Sequence, residues 1–194
     1  MIDLHVTLKA LIVAVACSYA TSPAAQDDPD VLSRDPQVLL NRLGTLTGEA
    51  DAGEAARLAR EILERWTHSG SATLDLLLRR GTDAIEEGDY ARAVAHLTAL
   101  TDHAPEFAEG WNQRATAFYL MGEYGAALAD IEQVLILEPR HFGALAGLGI
   151  ILEELGDSAG ALKALTAARQ VYAAEENVNG AIERLELETG ERAL

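Results

Sequence analysis

From Leu74 onward, apolar side chains recur at three- and four-residue steps, and the pattern is interrupted at regular intervals by a glycine followed by an acidic residue. The segments "LDLLLRRGTDAIEE" (74–87), "AEGWNQRATAFYLM" (108–121) and "FGALAGLGIILEEL" (142–155) stand in register. Leu77, Trp111 and Leu145 form one column, Gly81, Ala115 and Gly149 a second, and Ala84, Phe118 and Leu152 a third. Apolar positions seven residues apart fall on one face of a helix. Each segment is followed by a partner: "GDYARAVAHLTALTDHAP" (88–105), "GEYGAALADIEQVLILEP" (122–139) and "GDSAGALKALTAARQVYA" (156–173). Gly88, Gly122 and Gly156 align, as do Ala93, Ala127 and Ala161, each 34 residues from the last. Tyr90 and Tyr124 align with Ser158, and Pro105 and Pro139 with Ala173.

The pattern predicts three helical hairpins. The glycine ends the first helix, where a residue without a Cβ turns the chain without strain. Asp89, Glu123 and Asp157 place negative charge at the start of the second helix. The central alanines let the two helices approach closely, and the prolines stop the second helix. The period, with Trp111, Ala115, Phe118, Tyr124, Ala127, Ile131 and Pro139 in the middle copy, resembles the tetratricopeptide repeat family. Arg114 departs from it, with Arg80 in the same column, where the family usually has leucine; the stem packs while the guanidinium reaches a carboxylate or water. The resemblance implies an all-α solenoid of antiparallel hairpins, with units at about 74–107, 108–141 and 142–175 inside a 71–175 array.

Either side of the array the pattern is less regular. "GEAARLAREILERWTHSG" (53–70) resembles the second helix of a divergent upstream unit, but Ala56 precedes Ala93 by 37 residues rather than 34. "SRDPQVLLNRLGTLTG" supplies its first helix, with Asp35 as cap and Pro36 at the first helical position, giving an N-terminal hairpin over 35–70. At the other end, "NVNGAIERLELETG" puts Val178, Ala181, Ile182 and Leu185 on one face and Asn179, Glu183, Arg184 and Glu186 outward. A stack of repeats needs such a half-polar helix to cover its open end, so 176–194 is read as a capping helix and tail. The mature chain should then hold roughly nine helices and no sheet.

The N-terminal residues stand apart from the fold. The run "ALIVAVACSYA" is short for a bilayer span and is followed by small, then polar residues, which reads as a signal peptide over 1–25 and a flexible segment over 26–34. The expectation is a secreted, bacterial periplasmic protein with no direct membrane insertion after cleavage. The alternative is lipid anchoring through Cys17, the single cysteine.

With 31 acidic against 15 basic residues, the net charge of −16 disfavours nucleic-acid phosphates as partners. No phosphate loop, nucleophile elbow or paired-histidine metal motif occurs. His68, His96, His103 and His141 read as surface residues, so no catalytic residue, metal or cofactor is expected. The family resemblance implies instead a protein-binding module whose first helices line a concave groove for a partner's peptide or helix. In that reading Asp75, Glu86, Glu109, Asn112, Thr116, Tyr119, Glu153 and Glu154 face the groove. All five charged residues among them are acidic, pointing to a ligand carrying lysine or arginine. The groove columns Leu78, Thr82, Asn112, Thr116, Ala146 and Ile150 hold no basic residue that would grip an acidic chaperone tail. A structural scaffold of a cell-envelope complex, using the outer face, is the alternative function.

Overall fold

The computed structural model describes residues 36–192, and these form nine α-helices with no strand among them. The readings of 1–25, Cys17, 26–34 and Asp35 lie outside the described residues. In chain order the helices are α1 (Pro36–Leu43), α2 (Ala52–Trp66), α3 (Ala72–Glu86), α4 (Tyr90–His103), α5 (Ala108–Leu120), α6 (Tyr124–Leu137), α7 (Phe142–Glu154), α8 (Ser158–Val171) and α9 (Glu176–Arg192). A 3-10 turn, Glu49–Asp51, joins α1 to α2.

The turn inside each unit is the same piece of backbone chemistry three times over. Gly88, Gly122 and Gly156 have φ of 76°, 77° and 80°, a left-handed conformation that costs other residues strain. Each glycine N–H donates to the carbonyl three residues back, and the next N–H reaches the carbonyl five back: Asp89 to Ala84, Glu123 to Phe118 and Asp157 to Leu152, all at 2.9 Å. These paired bonds satisfy carbonyls that the helix end would otherwise leave open. Asp89 and Asp157 then cap the second helix by accepting from the N–H groups of Arg92 and Gly160. Glu123, one methylene longer, makes no side-chain cap.

Within each unit the two helices meet through a size exchange. A Cβ on Gly81 would lie 2.5 Å from Leu97 Cγ, and one on Gly149 2.5 Å from Leu165 Cγ. In the middle unit the equivalent pair is Ala115 and Ile131, both buried. So leucine faces glycine twice, and isoleucine faces alanine once, where the middle unit accommodates one methylene more. Ala93, Ala127 and Ala161 are fully buried beside these contacts.

Between units the middle seam is polar. Arg114 on α5 donates from Nε and Nη2 to the two carboxylate oxygens of Asp130 on α6, both at 2.8 Å. Its Nη1 reaches back to Thr101 (2.9 Å) and Thr98 (3.2 Å) on α4. Its carbon centre lies 4.8 Å above the Trp111 ring. One guanidinium therefore ties three successive helices, with a fork that matches the carboxylate. Trp111 itself is half-buried, its indole N–H bonded to the Pro105 carbonyl at 2.9 Å.

One expectation changes at the N-terminal end. The N-terminal hairpin does not stack on α3 as an upstream repeat would. Leu39, Leu40, Leu43, Ala55, Leu58 and Ile62 share a core with Val171 and Tyr172, packed against Phe142 and Leu145, whereas Leu74, Leu77 and Leu78 belong to a separate core. The hairpin thus lies along the edge where second helices turn into the next first helix. Gln37 donates to Glu138 (2.8 Å) and Arg140 to Asn41 (2.7 Å) there. On α9, Val178, Ile182 and Leu185 are buried against Ala161, Leu165 and Ala168, and Arg184 is exposed at the surface, where it finds a partner. It forks onto Glu153 of α7, at 2.8 and 3.0 Å from its carboxylate oxygens.

Candidate functional site

The first helices α5 and α7 and the capping helix α9 present a continuous trough. One cavity of about 280 Å³ is lined by Asn112, Thr116, Tyr119, Ile131, Gly147 and Ile150. A second, of about 300 Å³, is lined by Phe142, Ala146, Leu165, Tyr172, Val178 and Ala181. Gly143, Ala146 and Ile150 border both, so the two are neighbours across one helix face. Gly143 and Gly147 are not held small by crowding within the molecule. A Cβ on Gly147 would touch only Ile131, at 3.7 Å, and one on Gly143 only the His141 ring, at 3.5 Å or more. Their bareness leaves room in the trough rather than relieving a clash.

The predicted groove residues divide into those that face this trough and those that do not. Asn112, Thr116 and Tyr119 line it. The Thr116 hydroxyl donates to the Asn112 carbonyl at 3.0 Å, which fixes its direction. Tyr119 is half-buried beside Tyr124, and its pKa is raised by burial, then by the charge of Glu154 and by Tyr124. The phenol therefore stays protonated and offers an O–H donor. Glu154 is exposed at the same end, and Glu86 is exposed at the end of α3.

Three of the acidic residues are already engaged. Glu153 is forked by Arg184. Asp75 accepts the Ser69 N–H (2.8 Å) and hydroxyl (2.6 Å), bonds that lower its pKa. Glu109, expected in the groove, is instead buried, 4% exposed, and faces the interior. Its Oε2 lies 3.1 Å from His141 Nε2, and Gln113 donates to its Oε1 at 2.6 Å.

His141 is the partner that the sequence reading placed on the surface, and it is fully buried. Its Nδ1 accepts the Ala144 N–H at 3.1 Å, capping α7, so the ring proton sits on Nε2 and is donated to Glu109. The ring stacks on Trp66 with centroids 4.2 Å apart and planes 14° from parallel. Phe142 then meets Trp66 at 5.3 Å and Tyr172 edge-on at 5.6 Å. An aromatic chain therefore runs from the N-terminal hairpin to the wall of the second cavity. The signal available in the sequence was His141 directly before a helix start, a position that favours side chains able to accept from the first turn.

Among the described residues no group of three or more His, Cys, Asp or Glu is placed to hold a metal ion, and no helix is long and apolar enough to cross a membrane.

The tetratricopeptide repeat family model matches residues 78–129 and 112–177. A tetratricopeptide repeat-containing protein of Rhizobium etli is 37% identical over 190 residues, covering 92% of this chain and 93% of its own. The SGT1 homologue of Bos taurus is 31% identical over 113 residues, 58% of this chain and 33% of its own. Solved structures share the fold at lower identity. The yeast Sti1 TPR2B domain, in its pHsp70 complex, superposes with a TM-score of 0.56 at 22% identity, covering 61% of this chain and 99% of that one. MamA does so with a TM-score of 0.58 at 17% identity, over 81% of this chain and 85% of that one. By its period, its turns and helix pairing and these matches, the chain belongs to the tetratricopeptide repeat family.

Proposed function

We propose that this protein is a non-catalytic protein-binding module that seats a segment of a partner protein in the trough formed by α5, α7 and α9. The observation that carries this reading is the pair of joined apolar cavities floored by Gly143, Ala146 and Gly147 and rimmed by Asn112, Thr116 and Tyr119. Apolar floor with a few directed polar groups is what a bound segment needs: burial for affinity, hydrogen bonds for register. The yeast Sti1 structures are complexes with pHsp70 and pHSP90, which gives the fold a precedent for holding a partner. The columns here lack lysine and arginine, so an acidic chaperone-tail peptide should show no saturable binding by calorimetry.

Glu154, exposed near Tyr119 at the end of the trough, favours a segment carrying a basic residue. Exposed charge pairs are screened over a Debye length of about 8 Å at physiological salt, so added salt should weaken binding. The deciding experiment uses Gly147→Leu. A Cβ there meets only the Ile131 side chain, at 3.7 Å, and the longer side chain projects into the first cavity; the denaturant midpoint of the variant checks that it is folded. Partners captured by the wild-type protein from its source should be lost by this variant and by Tyr119→Ala. Capture that ignores both would place the partner on another face. The compartment belongs to the same proposal: a secreted, periplasmic protein should carry a mature N-terminus near residue 25, read by N-terminal sequencing.

A further inference from the structure

The repeat columns expose an unfilled seat at the first unit. On α5, Gly110, Arg114 and Ala117 form the stripe that packs on the preceding helix α4. A Cβ on Gly110 would sit 3.1 Å from Leu100 Cδ2, Arg114 bonds Thr98 and Thr101, and Ala117 is fully buried in the α3–α4 core. On α7 the equivalent residues are Ala144, Leu148 and Ile151, with Ala144 and Ile151 buried. On α3 they are Leu76, Arg80 and Asp83, and all three are exposed, Leu76 at 37%. Arg80 also lacks the carboxylate that Arg114 has, because His96 stands where Asp130 stands one unit later. Among the described residues no helix covers this stripe as one would in a regular stack, since α1 and α2 pack against Phe142, Leu145, Val171 and Tyr172 instead.

The opposite end of the stack is complementary. The capping helix α9 buries Val178, Ile182 and Leu185 and turns the other way Glu183, Glu186, Leu187 and Glu188. Leu187 is 69% exposed, the most of any large apolar side chain among the described residues. One end therefore shows Leu76 beside Arg79 and Arg80, with a single carboxylate, Asp83, one turn on, and the other shows Leu187 among three glutamates.

We infer that copies of this chain associate head to tail, with the outer face of α9 of one copy laid on the α3 stripe of the next. The occupant is a second copy because the chain itself supplies both the apolar contact and the opposite charge. The interface is heterologous, so each copy keeps one free end and growth does not close by symmetry. One helix face on each side is less than the roughly 800 Å² per partner of a standard stable interface, so association is weak and depends on concentration.

The test is sedimentation velocity of the full-length protein over a range of concentrations and salt. Wild type should gain mass with concentration and lose it with salt. A head variant, R79E/R80E, and a tail variant, E183K/E186K, should each be monomeric at concentrations where wild type associates. The expected drop in self-association is at least about tenfold. Leu187→Asp should do the same without touching the glutamates. Mixed one to one, the head and tail variants should associate again, because the intact tail of one meets the intact head of the other. Recovery in the mixture also shows that both variants are folded. A wild type that stays monomeric throughout, a variant that associates like wild type, or a mixture that stays monomeric overturns the inference.

Discussion

Between α3 and α8 the same contact is made three times, whereas α1 and α2 meet the array through a contact made only once. In the array, small residues face large ones at fixed spacing, and identical glycine turns fix the angle between helices. Each unit is supported on its neighbours, so stability there is a sum of similar terms that rise and fall together. The hairpin instead rests on Trp66, stacked on a buried imidazole whose proton is held by Glu109. Nothing else among the described residues duplicates that arrangement. A contact used once can be lost without the others.

The strongest way to break the array side of this comparison is at the middle seam. Asp130→Ala leaves the Arg114 guanidinium largely buried without its carboxylate, which costs about 3–5 kcal/mol. Because Arg114 also joins α4 to α5, the loss should lower the denaturant midpoint of the whole array in one transition. Wild-type stability in this variant would mean the pair contributes nothing to the seam.

Trp66→Ala should break the other side. The tryptophan is only partly buried, so the cost falls below the ~3–5 kcal/mol of a fully buried one. The location matters more than the size. Amide exchange should lose protection over residues 36–66 while α5 to α8 keep theirs, since separate cooperative units open separately. A uniform loss across all helices would show that hairpin and array are one unit.

How much of this was legible follows from the same contrast. Gly88, Gly122, Gly156, Ala127 and Trp111 announce themselves because each has a counterpart 34 residues away, and comparing copies cancels what is accidental. Groove positions were legible only as columns. Asn112, Thr116 and Tyr119 sit in the trough, but Glu109 in an equally good column is buried, because His141 from the following turn comes over it. That meeting depends on one histidine that has no repeat counterpart. Arg184 on Glu153 is of the same kind: a cap helix reaching back over the last unit, invisible until its rotation about its own axis is known. The slip of three residues in the hairpin was a sign that its seat differs, but the slip does not say where the seat is.

Ala127→Leu sharpens the array side at smaller amplitude. Ala127 is fully buried, and the added methylenes must displace neighbours in a packed core. The expected cost is about 1–3 kcal/mol, read from the denaturant midpoint. An unchanged midpoint would show that the two helices have slack at their closest approach. Trp111→Ala belongs near this level rather than above it, because that side chain is only partly buried and its indole bond goes to a loop carbonyl.

The smallest expected effect lies in the link between the two regions. Ser69, between α2 and α3, gives Asp75 both its N–H and its hydroxyl proton, at 2.8 and 2.6 Å. These bonds favour the charged carboxylate and hold its pKa below the usual value, the hydroxyl first and the backbone next, against a smaller upward push from burial. A carboxylate whose folded pKa is depressed adds stability that is whole above the unfolded value, about 3.9, and disappears as pH falls through the folded value. Ser69→Ala removes the larger of the two bonds. The variant should therefore be slightly less stable than wild type at pH 7 and pH 5, and the gap should close as pH drops below about 4. Denaturant midpoints for both proteins across that range measure the gap directly. Should the gap stay constant down to pH 2.5, the serine would be acting through loop geometry alone, and the joint between hairpin and array would carry no charge-dependent term.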